Sequence, residues 1–211
     1  MISHKHKTIF IHVPKVAGQS IETLFLDDLN LKWSERHPLL LRPNPNPKLG
    51  PPRLAHLSIT EYVSCGHIDK HKFDSYFKFA FVRNPWDRAV SMYKYLNRGN
   101  QSFKEFAKQE LLNPNSKLAY FYKPQTHFIV DPYGKTKIDY LGRFEKLHHH
   151  VNTILKRLKI KQKLRHINRS KAGTLDGKSN PFHYRDFYDD ETSEIIGELY
   201  GSDIEAFSYD F

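Results

Sequence analysis

The chain has 211 residues, 39% of them hydrophobic, enough for one sizeable core and one domain over residues 1–211. The formal net charge of +10 turns the surface towards anionic partners, and it is spread along the chain without a long basic block. No run is long and apolar enough for a membrane span or a signal-peptide core, no zinc-finger or RNA-binding signature occurs, and the single Cys65 excludes an internal disulfide and a cysteine-based zinc cage. A soluble, cytoplasmic protein with no nucleic-acid partner is the expectation.

Thr8–Val13 is a near-continuous β-branched and aromatic run, the pattern of a strand covered on both faces, and Pro14 ends it. Lys15 follows, then the small or polar Val16, Ala17, Gly18, Gln19 and Ser20. Ile21, Leu24 and Phe25 recur at helical spacing, so a helix opens near Gly18. A helix start leaves backbone N–H groups unpaired, and with Lys15 beside it the stretch suits a phosphate or sulfate. The spacing is not that of a nucleoside-triphosphate P-loop, because here the lysine precedes the glycine.

Residues 37–53 hold six of the twelve prolines and predict an irregular surface loop, centred on 38–52, that either connects or borders an acceptor site. Leu54–Ser64 returns to the core and leads to His67, one of thirteen histidines, ahead of a short helical segment. Tyr76–Val82 reads as a second buried strand. Asn84 suits an N-cap, Pro85 the first helical position and Asp87 the first turn, so a helix starts there with Trp86, Ala89, Val90 and Tyr93 on one face. Arg83 falls at the carboxyl edge of the strand, where ligands gather in open α/β sheets, and Ser91 shares a helix flank with Asp87 and Lys94.

Ser102 and Glu105 form a capping box ahead of a helix over Phe103–Leu112. Leu118–Val130 is aromatic-rich, and Asp131 to Gly134 is a turn of hairpin type. A third strand over Lys137–Phe144 and a helix over Phe144–Leu158 follow, the latter with Leu147, Val151, Ile154, Leu155 and Leu158 inward. His148, His149 and His150 are consecutive on that helix and point about 100° apart, so they do not converge on a metal ion. Leu164–Ile167 reads as a short fourth strand. The loop 168–183 is rich in Gly, Ser, Lys and Asn, which suits a flexible surface or a basic lid. A last helix spans Asp189–Tyr200 with Ile195, Ile196 and Leu199 inward, and Ile204 and Phe207 pack a final segment.

The string from His12 to Ser20 resembles the 5′-phosphosulfate loop of sulfotransferases that use 3′-phosphoadenosine-5′-phosphosulfate (PAPS). The stretch FAFVRNPWDRAVSMY closely resembles their 3′-phosphate element, and the two occur in the right order. Shorter fragments resemble the carbohydrate and heparan-sulfate sulfotransferases: Gly66-His67, Pro124 to Thr126, Gly142 to Leu147, His166 to Ser170 and Tyr200 to Phe211. The loop has Val16-Ala17 where many relatives carry Thr-Gly. The resemblance implies a three-layer α/β/α fold with a central parallel sheet, related to nucleotide-kinase P-loop folds. It further implies that Val16, Ala17, Gly18, Gln19 and Ser20 cradle the 5′-phosphosulfate, that Arg83 and Ser91 hold the 3′-phosphate, and that Arg169 and Lys171 of the lid add anion contacts.

Sulfuryl transfer needs an in-line acceptor oxygen, a base for its proton and positive charge on the leaving bridging oxygen. Lys15 suits the last task. His67 corresponds to the position from which related glycan sulfotransferases supply a general base, with Glu22 and His12 as fallbacks. The implied acceptor is a carbohydrate hydroxyl, the product nucleotide is 3′,5′-bisphosphoadenosine (PAP), and no metal is needed. Two other readings stay open on the residues: an ATP-dependent phosphoryl-transfer enzyme, and a nucleotide- or polyanion-binding protein without turnover.

Overall fold

The computed structural model describes residues 1–96, 101–164 and 183–211. In chain order its main elements are β1 (Ile2–Ser3), β2 (Thr8–Ile11), α1 (Gly18–Asp28), α2 (Lys70–Ser75), β3 (Phe77–Val82), α3 (Pro85–Leu96), β4 (Tyr140–Arg143), α4 (Leu147–Leu158), α5 (Asp190–Leu199) and α6 (Gly201–Phe207), with shorter helical turns between them. The described residues of 1–82 and 125–165 form one compact unit, and those of 83–124 and 166–211 form a second.

The first unit is built on a four-stranded sheet in the order β1-β2-β3-β4. β2, β3 and β4 run parallel, with Phe10 opposite Phe79 and Phe81 opposite Gly142. The two-residue β1 adds an antiparallel edge, a departure from the all-parallel expectation that is too short to leave a sequence pattern. Ile9, Phe10, Ile11, Ala80 and Phe81 have no solvent exposure, as strands covered on both faces require. On one face α1 and α4 converge on Phe79 through Ile21, Leu24, Phe25, Val151, Ile154 and Leu155. Phe10 and Phe25 stack on the same ring.

The proline-rich stretch is irregular as expected, broken into 3₁₀ turns at His37–Leu39 and Pro47–Leu49, but Leu39 and Leu41 anchor it in the core. The 131–134 turn is closed by the Asp131 N–H on the Lys135 carbonyl at 2.8 Å and by a single antiparallel bridge, Val130 to Thr136. His148 and His149 are exposed, while His150 shares a 2.7 Å hydrogen bond with the Tyr140 hydroxyl.

The second unit packs helix on helix. Asn84 caps α3 by accepting from the Trp86 and Asp87 N–H groups at 3.0 and 3.3 Å. Trp86, Ala89, Val90 and Met92 then pack with Phe103, Phe106, Tyr122, Ile196 and Tyr200. The Ser102–Glu105 capping box forms, but only Phe103–Glu105 is α-helical; Phe106–Leu111 widens into a π-helix. That widening accompanies burial of Phe106, Ala107 and Leu111. Arg88 is fully buried, donates to the carbonyls of Phe121 and Lys123 at 3.2 and 2.9 Å, and lies 4.0 Å from the equally buried Asp203. The expected strand at 164–167 lies outside the described residues except for Leu164. Among the described residues no helix is long and apolar enough to cross a membrane.

Candidate active site

β2 ends at Ile11 and α1 begins at Gly18, so the intervening loop lies at the carboxyl edge of the parallel strands. Its backbone is curled by two residues with positive φ, Lys15 at 72° and Ala17 at 65°. Neither is glycine, and each such residue costs on the order of 1–2 kcal/mol. Strain of this kind gathers where a loop is held for a ligand. A glycine at position 17 would meet the same backbone demand without the cost.

Ala17 caps α1 without any side-chain bond; its carbonyl takes the Ser20 N–H at 3.0 Å. Among the described residues no protein acceptor meets the N–H groups of Val16, Ala17 or Gly18. Donors without a partner at a helix start are suited to an anion. Lys15 is half-buried beside it, Val16 and Ser20 are buried, and Gln19 is exposed.

Against the loop packs a cluster of the buried His12 and Glu22 with the half-buried His56. His12 donates Nδ1–H to Glu22 of α1 at 2.5 Å, and Glu22 is 4% exposed. His56 donates Nδ1–H to the His12 carbonyl at 2.9 Å, its ring 4.3 Å from that of His12. Burial, reinforced by His12, holds the His56 imidazole well below its usual range and therefore neutral. The His12 ring presses on Gly18: a Cβ there would lie 1.8 Å from His12 Nε2. Gly18 is thus required by close approach, and its φ is ordinary.

His67 follows the turn at Gly66, whose φ is 74°. It is half-buried, and its Nε2–H donates to the Leu49 carbonyl at 2.8 Å, tying it to the proline-rich loop. The neutral ring then keeps its lone pair on Nδ1.

In the second unit Arg83 forms a fork with Asp87, Nε to Oδ2 at 2.7 Å and Nη2 to Oδ1 at 2.8 Å. Asp87, Ser91 and Lys94 follow one another at four- and three-residue spacing along α3, hence on one flank. Lys94 lies 4.7 Å from the Phe187 ring, and partial burial lowers its ammonium below the usual range against the attraction of Asp87. The fork fixes the guanidinium plane while keeping its positive charge, which suits recognition of a phosphate. Arg169 and Lys171, with the expected lid at 168–183, lie outside the described residues except for His183. Among the described residues no group of His, Cys, Asp and Glu is arranged to hold a metal.

A profile described as the Sulfotransferase family matches residues 1–210. The chain belongs to the sulfotransferase family. It is also 29% identical over 101 residues, 46% of this chain and 79% of the other, to an uncharacterized protein of Archaeoglobus fulgidus. No solved structure matches it.

The strand–loop–helix around Lys15 and the helix start after Arg83 form as the sequence predicts, whereas His56 was not singled out. Nothing in Leu54 to Leu57 distinguishes that histidine from the other twelve. Its role depends on the fold bringing it against the end of β2. The Arg83–Asp87 fork was not read either; its one signal in the sequence is the four-residue spacing.

Proposed function

We propose that the protein transfers a sulfuryl group from PAPS to a hydroxyl of a carbohydrate acceptor by in-line displacement. The curled loop carries this reading: N–H donors of Val16, Ala17 and Gly18, without a protein acceptor, meet at the start of α1 beside Lys15. Those donors and the Ser20 hydroxyl bind the 5′-phosphosulfate oxygens. Arg83, with its plane set by Asp87, and Ser91 take the 3′-phosphate, and Arg169 and Lys171 add cations from the lid.

The acceptor oxygen attacks sulfur as the bond from sulfur to the bridging oxygen breaks. Lys15 neutralises the negative charge that grows on that oxygen, which leaves with PAP. His67 takes the acceptor proton on Nδ1, the nitrogen left basic when Nε2–H donates to Leu49. His12 has a carboxylate on its Nδ1, as orienting dyads do, but at 7% exposure and wedged against Gly18 it shapes the loop instead of meeting an acceptor.

The test is transfer of labelled sulfate from PAPS to a panel of neutral and acidic oligosaccharides. Label should appear in a saccharide, and Lys15→Ala should abolish it. Phosphoryl transfer from ATP with magnesium, and none of sulfate from PAPS, refutes the proposal.

A further inference from the structure

Lys156, Arg157, Lys159, Lys161 and Lys163 fall within eight residues, and no Asp or Glu occurs anywhere from 146 to 175. The charge is therefore less evenly spread than composition and a search for unbroken basic runs suggest, because Leu158, Ile160 and Gln162 interrupt this one. The structure sorts the two kinds of residue. α4 buries Val151, Ile154 and Leu155 and exposes Lys156 and Arg157 at its end. Lys159 ends the helix with φ 55°, and beyond it Ile160 is buried, Gln162 and Leu164 are half-buried, and Lys161 and Lys163 are exposed. That alternation puts both lysines on one side of the strand-like segment.

Several lysines elsewhere are paired: Lys5 with Asp28, Lys70 with Asp74, Lys72 with Asp69, Lys104 with Asp189 and Glu191, and Lys108 with Glu191. Among the described residues no carboxylate pairs with Lys156, Lys159, Lys161 or Lys163. Arg157 stacks 4.3 Å over Phe77, the first residue of β3. Phe77 pairs with Thr8, so this stripe lies at the amino edge of the sheet. The anion loop follows Ile11 at the opposite edge, and the strand from Thr8 to Ile11 alone spans about 10 Å. The stripe is thus a second surface, separate from the loop.

Its chemistry selects among polyanions. None of the exposed large apolar residues among those described, Trp33, Tyr95, Leu112, Tyr133, Leu141 and Phe211, lies in 147–164. The exposed rings of this segment, His148 and His149, open α4 about 10 Å from Lys156, so bases find no exposed ring among the cations, and a bilayer meets no apolar anchor. What remains is a row of uncompensated cations along a helix end and an extended segment. We infer that this stripe docks an anionic polysaccharide. The inference goes beyond the transfer reaction and stands independently of it.

The experiment measures binding of dextran sulfate to the full chain at about 0.15 M salt, against duplex DNA and phosphatidylserine vesicles at equal charge, without PAPS. A quadruple variant, Lys156→Gln, Lys159→Gln, Lys161→Gln and Lys163→Gln, removes the stripe. A control of equal net charge replaces the paired Lys5, Lys70, Lys72 and Lys108 by Gln, and circular dichroism checks that both fold. The stripe variant should lose affinity for dextran sulfate by about tenfold or more, with a salt slope lower by roughly three. The control should lose less than about threefold. Equal losses in the two variants, or tighter binding of DNA or vesicles by the wild type, would overturn the inference.

Discussion

Replacing Gly18 by alanine tests the link between the buried cluster and the loop. The added Cβ would lie 1.8, 2.1 and 2.3 Å from three atoms of the His12 ring. Ordinary carbon contacts are about 3.5–4.0 Å, so ring and loop must separate by more than about 1 Å. The ring is held by Glu22 at 2.5 Å, stacked on Phe10 at 5.3 Å between centroids and packed against His56, so the loop gives way. Overpacking of this kind costs about 3 kcal/mol, the upper part of the usual range. For a chain of this length that lowers Tm by roughly 6–12 °C. Urea unfolding reads the stability and calorimetry with PAP reads the loop, and both should fall. In the Gly18→Ala background, His12→Ala should cost less than in the wild type, because the clash leaves with the ring. Gly18→Ala with stability within about 0.5 kcal/mol of wild type and unchanged PAP affinity refutes the reasoning.

Four further outcomes are expected. Arg83→Ala should weaken PAP binding by about 1.5–3 kcal/mol, the range for hydrogen bonds to charged groups, measured calorimetrically. Lys15→Ala should lower kcat far more than PAP affinity; equal losses would remove Lys15 from the leaving-group role. Arg88→Ala should destabilise by about 3–5 kcal/mol in urea, because the fully buried Asp203 loses its buried cationic neighbour. His56 stays neutral when folded but takes a proton when unfolded, so the unfolded state binds more protons below about pH 6.5. Stability should fall as pH drops through that value, with a limiting slope of about 1.4 kcal/mol per pH unit from this group, and His56→Asn should flatten the profile.

Local rules made much of this molecule legible. The apolar run from Thr8, the break at Pro14 and the spacing of Ile21, Leu24 and Phe25 specify strand, loop and helix, because each needs only neighbours in sequence. Asn84-Pro85 marked the start of α3 for the same reason. What could not be read depends on residues far apart in the chain: the His56 bond to the His12 carbonyl, Arg88 against Asp203, and the tie from His67 to Leu49. Gly18 is an instructive mixture. Its place at a helix start follows from the spacing of Ile21, Leu24 and Phe25, whereas the need for glycine there comes from the His12 imidazole. The basic stripe was hidden because its cations follow helical spacing and then strand spacing, so no unbroken run announces it.

The most direct measurement is calorimetric titration of the purified protein with PAP, with ATP and magnesium as the control. The account predicts saturable PAP binding that weakens in Arg83→Ala and Gly18→Ala, with ATP weak or silent. A folded protein that ignores PAP, or that binds ATP with magnesium more tightly, contradicts it.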